Sequence, residues 1–296
     1  MRAVIEYVEP GTVEEAVGFL ASHRGAAKVV AGGQSLLVLL RQRLLEPEYL
    51  LGLDRIPGMR GIAEGAGGEL VIGPLTTHRE IAASPLVRKG WALLAEAAEQ
   101  VGSPPVRNAG TIGGNLGFPM IGADPPVALV ALGARISLAG PRGTRTVAVE
   151  EFYRGYMESV LEPDEIITQV ALPPQPAGTR GTYLKYRLRG IDRALVAVAV
   201  TLTPDGRGSC KEIRIGLGGV RPAPVRALQA EAILRRARLT EETISRAAQA
   251  AVEEVEPVSD LSGSAEYRKK LVKVFVTRAL RQLAAGGSGV GRVHES

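Results

Sequence analysis

A glycine pair between a short apolar run and a helical pattern is the feature that most constrains this chain. Residues 28–31 have the composition of a buried strand, Gly32-Gly33 interrupts it, and residues 35–45 follow with helical periodicity. Residues 49–53 resemble a second strand, so the segment predicts a β–loop–α–β unit. Exposed glycine N–H groups and a helix N-terminus together suit a pyrophosphate. A tight turn with Ser35 as a helix cap is the alternative interpretation.

A second glycine-rich stretch, residues 110–117, pairs its glycines with Thr111 and Asn115. It lies in a predicted loop at residues 102–126, and loops of that length are usually functional or disordered. Two such stretches in one domain could hold the two phosphates of a dinucleotide from both sides. Asp124 follows, where a carboxylate could accept hydrogen bonds from a ribose hydroxyl. A turn or cap role is the alternative for Asp124.

The order of extended and helical patterns predicts an α+β fold, because the regular alternation of a doubly wound sheet is absent. Capping boxes at Thr12 and Thr77 open two short helices. Longer helices are predicted at residues 35–45, 85–101, 241–255 and 265–283, and strands at residues 28–31, 49–53, 69–72, 134–138, 145–149, 165–172, 182–188, 194–203 and 210–217. A third glycine cluster, residues 216–219, follows a strand but precedes no helix, which indicates a strand-end turn.

Composition favours an ordinary globular protein, with 45% hydrophobic and 23% charged residues. No apolar run reaches the roughly 18–20 residues that a membrane span needs. Glu6 and Glu9 interrupt any apolar run of a signal peptide, so a cytoplasmic location is expected. The net charge of +5 comes largely from dispersed arginines without interleaved aromatics, which favours a solvated face or an acidic partner protein over nucleic acid.

Cysteine and histidine usage limits the chemistry of the chain. Cys210 is the single cysteine, so neither an intrachain disulfide nor an iron–sulfur cluster, which needs about four thiolates, is expected. The three histidines lie far apart in the sequence, so no metal site is expected. A domain boundary is predicted within residues 173–181, which hold three prolines and two glycines.

With both glycine stretches and Asp124 in view, the chain resembles the FAD-binding medium subunits of the xanthine dehydrogenase/carbon monoxide dehydrogenase family of molybdenum hydroxylases. The matching stretches are AGGQSL at residues 31–36, TIGGN at 111–115, Asp124, DEII at 164–167, YLKYR at 183–187 and SAEYRKKL at 264–271. The resemblance covers nearly the whole chain, and the two glycine stretches at this separation are more specific than either alone.

The resemblance implies a two-lobed FAD-binding domain of the vanillyl-alcohol-oxidase-like (PCMH) type at residues 1–176, with lobes of about 1–55 and 56–176. A small α+β C-terminal domain, with a three-stranded antiparallel sheet plus helices, would follow at residues 177–285, and a flexible tail at residues 286–296.

The resemblance also implies a set of cofactor-binding residues, and it assigns neither a catalytic residue nor a metal ligand. The set is Val29, Val30, Ala31, Gly32, Gly33, Gln34, Ser35, Leu36, Val101, Thr111, Ile112, Gly113, Gly114, Asn115, Asp124, Ile167 and Lys185. The two glycine stretches would line the pyrophosphate and ribityl chain, and Asp124 would hold the adenosine ribose. Ile167 would contact the flavin ring edge, Lys185 would lie near the isoalloxazine, and Val101 would supply an apolar contact.

Several of these residues have a plainer interpretation. Lys185 could be a solvent-facing lysine at a strand edge, and residues 187–192 could form structural ion pairs. Tyr183 and Tyr186 lie on opposite faces of a strand, so only one of them can face a flavin.

The function expected from the resemblance is electron relay. Substrate would be oxidised at a molybdenum cofactor on a large subunit, and [2Fe-2S] clusters on a small subunit would pass electrons to FAD here, in a dimer of heterotrimers. FAD would be non-covalent, because neither glycine stretch contains His or Cys. A stand-alone flavin-dependent oxidase or reductase is the alternative enzyme, and a structural subunit whose glycine stretches are turns is the alternative without catalysis.

Overall fold

A computed structural model of the chain describes residues 4–286 and shows an α+β fold. Its first unit contains β1 Glu6–Val8, α1 Val13–Ser22, β2 Ala27–Val30, α2 Leu36–Arg41 and β3 Tyr49–Gly52. The strands pair in parallel in the order β1-β3-β2, which confirms the β–loop–α–β prediction. Helix α2 is shorter than predicted, since Arg43 adopts a left-handed backbone conformation with φ of 55° just beyond it.

The second unit is built on an antiparallel five-stranded sheet. Its elements are β4 Ile62–Glu64, β5 Leu70–Ile72, α3 His78–Ala83, α4 Pro85–Gly90, α5 Ala92–Glu99, α6 Pro104–Ala109, α7 Ile112–Gly117, α8 Asp124–Leu132, β6 Arg135–Gly140, β7 Gly143–Ala148, α9 Val149–Phe152, β8 Tyr153–Gly155, β9 Glu158–Ser159 and β10 Ile166–Leu172. The sheet order is β4-β5-β10-β6-β7, and β8 and β9 form a separate hairpin. Strand β4 was not predicted from the sequence.

Two predictions for this unit are wrong in detail. The helix predicted at residues 85–101 is broken at Trp91, whose φ of −137° and ψ of 43° lie outside the helical region. The indole N–H of Trp91 donates to the carbonyl of Pro173 at 2.9 Å, a tertiary contact that the sequence does not reveal. The loop predicted at residues 102–126 contains α6, α7 and the start of α8. Prolines occupy the first turns of α6 and α8, where a missing N–H costs nothing, and Thr111 caps α7.

The C-terminal unit contains β11 Arg180–Tyr186, β12 Val196–Pro204, β13 Cys210–Gly218, β14 Val225–Arg226, α10 Leu228–Leu234, α11 Glu241–Glu253 and α12 Ala265–Ala284. The sheet runs antiparallel in the order β11-β12-β13-β14. The three predicted strands are present, and the short β14 and α10 add to them. The cluster at residues 216–219 is a strand end, as predicted, with Gly219 at a φ of 77°.

Helix α8 joins the second and C-terminal units. All nine of its residues are buried, as expected for a helix that is apolar on every side. A Cβ on Gly216 would lie 2.5 Å from the carbonyl oxygen of Val127, so the glycine lets α8 approach β13 closely. One face of the C-terminal sheet packs here, and the other face packs against α10 to α12.

No helix within residues 4–286 is long and apolar enough to cross a membrane. The cytoplasmic location stays a prediction. Apart from Gly286, the predicted flexible tail lies outside the residues that the structure describes.

Candidate cofactor site

The two glycine stretches lie in direct contact. We call residues 29–36 the first glycine loop and residues 111–115 the second glycine loop. A Cβ on Gly32 would lie 2.0 Å from the carbonyl oxygen of Ala109, and a Cβ on Gly114 would lie 3.5 Å from the side-chain Cβ of Ala31. Only a residue without a side chain fits at Gly32, which explains the glycine there. The fold thus brings together two loops that are distant in sequence.

The first glycine loop presents unused main-chain donors. Within the residues that the structure describes, the N–H groups of Gly33, Gln34 and Ser35 donate to no acceptor. Gly33 has a φ of 68°, a conformation that turns successive N–H groups towards one side. Ser35 stands at the N-cap position of α2 but makes no capping hydrogen bond. The alternative in which Ser35 acts as a helix cap therefore lacks its defining bond.

The second glycine loop differs from this in a way that the sequence does not show. Its main-chain N–H groups at residues 112–115 are already used by the carbonyls of Thr76 and Pro74 and by Thr111, at 2.8–3.1 Å. Among the described residues, the N–H of Thr111 is the one main-chain donor of this loop without an acceptor, so the loop offers fewer donors to a phosphate than the first glycine loop. It offers instead the side chain of Asn115, whose Oδ1 is buried without a hydrogen-bond partner. An unpartnered buried amide oxygen is costly unless a ligand or water satisfies it.

Asp124 and Lys185 form a buried ion pair. Lys185 Nζ lies 2.9 Å from Asp124 Oδ2 and also donates to the main-chain carbonyl of Gln100 at 3.0 Å. The side chains are only 2% (Lys185) and 4% (Asp124) exposed, so Lys185 is not the solvent-facing lysine of the plainer interpretation. Burial raises the pKa of Asp124 and lowers the pKa of Lys185, and each partner's charge opposes that shift.

This contact bears on the two predicted roles. An adenosine ribose and an isoalloxazine ring lie at opposite ends of FAD, joined by the ribityl chain and pyrophosphate. Asp124 and Lys185 lie together in the structure, whereas these two roles place them at different parts of the cofactor, and both roles stay predictions. Asp124 opens α8 without capping it, because its carboxylate is engaged elsewhere.

Helix α6 connects the ion pair with the glycine loops. The residue before Val101 accepts the Lys185 ammonium, and Arg107 of α6 donates to the carbonyl of Val101 at 2.8 Å. The last residue of α6, Ala109, is the one that contacts Gly32. Six helical residues span about 9 Å. Val101, the ion pair and both loops therefore belong to one neighbourhood.

Ile167 lies close to the helix that follows the second glycine loop. Its side chain is 6% exposed on β10, and its Cδ1 lies 4.0 Å from where a Cβ on Gly117 would stand. The register of β10 shifts between Ile167 and Gln169, which is the mark of a β-bulge. Val29 and Val30 end β2, and Leu36 begins α2, so they carry the first glycine loop at its two ends.

Sequence reasoning missed His78. The imidazole is 2% exposed, its Nδ1 has no hydrogen-bond partner, and its main-chain N–H donates to Gly110 at 2.9 Å. Burial and the nearby Arg107 lower the pKa of His78 to about 4, so the ring is neutral near pH 7. The signal in the sequence was its place directly after the Thr77 capping box, which the structure contains in full.

The two tyrosines of β11 have different hydrogen-bond partners. The hydroxyl of Tyr183 donates to Asp124 Oδ1 at 2.7 Å, whereas Tyr186 accepts a hydrogen bond from Tyr267 on the other face of the sheet. Arg187 donates to Gln100 Oε1 at 3.3 Å. Among the described residues, no ion pair forms at residues 187–192, contrary to the plainer interpretation.

Two family models together match almost the whole chain. The FAD binding domain in molybdopterin dehydrogenase matches residues 3–175, and the CO dehydrogenase flavoprotein C-terminal domain matches residues 182–283.

Characterised relatives match over nearly their full length. The chain is 37% identical to the carbon monoxide dehydrogenase medium chain of Hydrogenophaga pseudoflava, over 93% of this chain and 95% of that one. It is 34% identical to the nicotine 6-hydroxylase medium subunit of Paenarthrobacter nicotinovorans, over 95% and 98%.

Solved structures agree with the sequence relatives. Carbon monoxide dehydrogenase from Hydrogenophaga pseudoflava superposes with a TM-score of 0.91 at 38% identity, over 95% of this chain and 97% of that chain. Quinoline 2-oxidoreductase from Pseudomonas putida 86 superposes with a TM-score of 0.89 at 33% identity, over 97% and 99%. The chain therefore belongs to the family of FAD-binding oxidoreductase subunits of the molybdopterin dehydrogenases.

Proposed function

We propose that this chain holds FAD without a covalent link along its two glycine loops and relays electrons to an external acceptor. The observation that carries the proposal is the contact between the first glycine loop, with three unused N–H donors, and a second loop with an unpartnered Asn115 oxygen. These features fit a ligand that combines an anionic pyrophosphate with neutral hydrogen-bonding groups, and FAD is such a ligand.

We assign the cofactor contacts according to what each residue has available. The N–H groups of the first glycine loop would bind the pyrophosphate, and Asn115 would bind the ribityl or pyrophosphate region. The Asp124–Lys185 pair would lie at the isoalloxazine end, with Val101 and Ile167 as apolar neighbours. The ribose role of Asp124 is given up in this assignment.

FAD supplies the redox chemistry, since flavins exchange both single electrons and hydride. The residues of the chain bind the cofactor, orient it and provide charge beside it. The Lys185 ammonium would favour negative charge that develops on the ring, while Asp124 keeps that ammonium charged in a buried setting. Proton abstraction by this chain plays no part in such a relay.

The assembly we propose contains a large molybdenum-cofactor subunit and a small [2Fe-2S] subunit, arranged as a dimer of heterotrimers. Cys210 alone cannot hold a cluster, so the clusters would belong to a partner. The medium-chain relatives support a complex of this kind. Helix α2 adds support, because none of its residues is buried and Leu37, Val38 and the nearby Leu44 are 44%, 47% and 70% exposed. Apolar patches of this kind mark protein interaction surfaces.

The test begins with the purified full chain. After reconstitution it should show the visible absorption of bound flavin and reduce artificial acceptors, without turning over an organic substrate by itself. Asp124→Ala should weaken FAD binding by about 1–3 kcal/mol, because Lys185 loses the partner that keeps its ammonium charged and in place beside the cofactor. Asp205→Ala, in an exposed hairpin of the C-terminal unit, is the matched control and should bind FAD normally. A chain without flavin absorption contradicts the proposal, and substrate turnover by the chain alone favours a stand-alone oxidase.

A further inference from the structure

Tyr183 is buried and contacts the Asp124–Lys185 ion pair. It is 3% exposed on β11, and its hydroxyl donates to Asp124 Oδ1 at 2.7 Å while Lys185 binds Asp124 Oδ2 at 2.9 Å. Each carboxylate oxygen therefore has its own donor. A carboxylate held at both oxygens cannot rotate without breaking a charge-assisted hydrogen bond.

We propose that Tyr183 is a positioning residue of the flavin site, whose hydroxyl fixes the Asp124 carboxylate and thereby sets the charge that Lys185 presents to FAD. The proposal rests on the proposed function, because it places the ion pair at the isoalloxazine. Tyr183 acts on the cofactor through Asp124 and Lys185.

Two hydrogen bonds hold strand β11 against the C-terminal end of helix α5. The N–H of Tyr183 donates to Glu96 Oε2 at 3.1 Å, and Lys185, two residues on, donates to the carbonyl of Gln100. Both acceptors lie four residues apart at the C-terminal end of α5, on one side of the helix. Helix α5 thus fixes the strand, and the Tyr183 hydroxyl fixes the carboxylate relative to the strand.

Electrostatics gives the expected direction. A hydrogen bond from a hydroxyl favours the ionised form of a buried carboxylate. Without it, the Asp124 carboxyl is protonated in a larger share of molecules, and the buried Lys185 then loses the anionic partner that keeps its ammonium charged. Less positive charge then faces the flavin, which disfavours its reduced form, because that form carries more negative charge.

Tyr183→Phe removes the hydroxyl and keeps the ring. In the full chain reconstituted with FAD, we expect the preference for reduced over oxidised flavin to fall about tenfold. That change corresponds to a two-electron midpoint potential about 30 mV more negative. Tyr186→Phe is the matched control, since its hydroxyl bonds to Tyr267 on the opposite face of the sheet and its potential should equal that of the wild type.

A double-mutant cycle separates positioning from simple loss of structure. Asp124→Asn removes the charge through which Tyr183 is proposed to act, so adding Tyr183→Phe to it should leave the potential unchanged. The proposal is overturned by a Tyr183→Phe potential that is unchanged or higher, or by a shift that persists in the Asp124→Asn background. Failure of the proposed function looks different, because the wild-type chain then binds no flavin at all.

Discussion

Half-buried Glu96 and buried His78 are titratable side chains whose pKa values move in opposite directions for one reason, the cost of burying charge. Burial raises the pKa of Glu96 to about 7 and lowers that of His78 to about 4. Neutral His78 stabilises the fold above its unfolded pKa near 6.5, and this contribution is lost as the pH falls towards 4. Glu96 has the opposite effect on the free energy of unfolding. His78 therefore lowers stability at low pH, and Glu96 lowers it at high pH.

For Glu96, the folded chain binds more protons than the unfolded chain between pH 4.5 and about 7, so the free energy of unfolding falls as the pH rises through that window. Glu96→Gln keeps an acceptor oxygen for the Tyr183 N–H and removes the charge. We expect it to raise the free energy of unfolding above pH 7 by up to about 3 kcal/mol and to flatten the slope below pH 7. Urea unfolding at pH 5, 6, 7 and 8 measures both, with exposed Glu14→Gln as the control. An unchanged slope in Glu96→Gln would contradict the assignment.

At the scale of elements, the close approach of two loops depends on the absence of a side chain. The main chain of Gly32 lies against residues 109–110 at the end of α6, where a Cβ has no room. The obstacle is main chain rather than a flexible side chain, so accommodation requires the first glycine loop to move. The same argument holds for Gly216 beneath α8, but only Gly32 lies in the candidate site.

Gly32→Ala should therefore separate the two loops and weaken FAD binding. Overpacking at a tight contact typically costs about 1–3 kcal/mol, so we expect the FAD dissociation constant to rise roughly 5- to 150-fold. Gly18→Ala is the matched control, because nothing lies within 4 Å of its Cβ position in α1. It should bind FAD normally and gain about 0.5–1 kcal/mol of stability from helix propensity. Fluorescence titration of both variants decides, and wild-type affinity in Gly32→Ala would refute the contact argument.

At the scale of the whole molecule, α2 follows directly after the first glycine loop, yet none of its residues is buried. Within residues 4–286 the buried apolar side chains form three clusters, and two of these clusters draw residues from two units. We therefore propose that an electron-donating partner contacts the exposed Leu37 and Val38 of α2 and the nearby Leu44, close to the first glycine loop.

The double variant Leu37→Asp, Val38→Asp should keep flavin absorption and thermal stability but lose its partner subunits on co-purification from the native host. Two carboxylates would be buried unpaired in such an interface, which is strongly unfavourable. Leu228→Asp on α10, where the leucine is 57% exposed, serves as the control and should retain the partners. Retention of the full complex by the double variant would show that this face is not the interface.

Much of the local structure follows from the sequence, because strand composition, capping residues and glycine joints act over a few neighbours. The capping box at Thr77, the parallel β2–β3 pair and the three long C-terminal strands all follow such local rules. The helices within residues 104–132 do not, since proline and glycine occur both in loops and in first helical turns.

The sequence by itself determined the two glycine loops, the family, and the identities of Asp124 and Lys185 as candidate site residues. Only the tertiary structure decided that these two side chains bind each other across 61 positions of sequence, with Tyr183 on the second carboxylate oxygen. It also decided that two main-chain N–H groups of the second glycine loop donate to the carbonyls of Thr76 and Pro74, which belong to another segment. Hydrogen-bond partners between distant segments depend on how helices and sheets pack, and no local pattern encodes that distance.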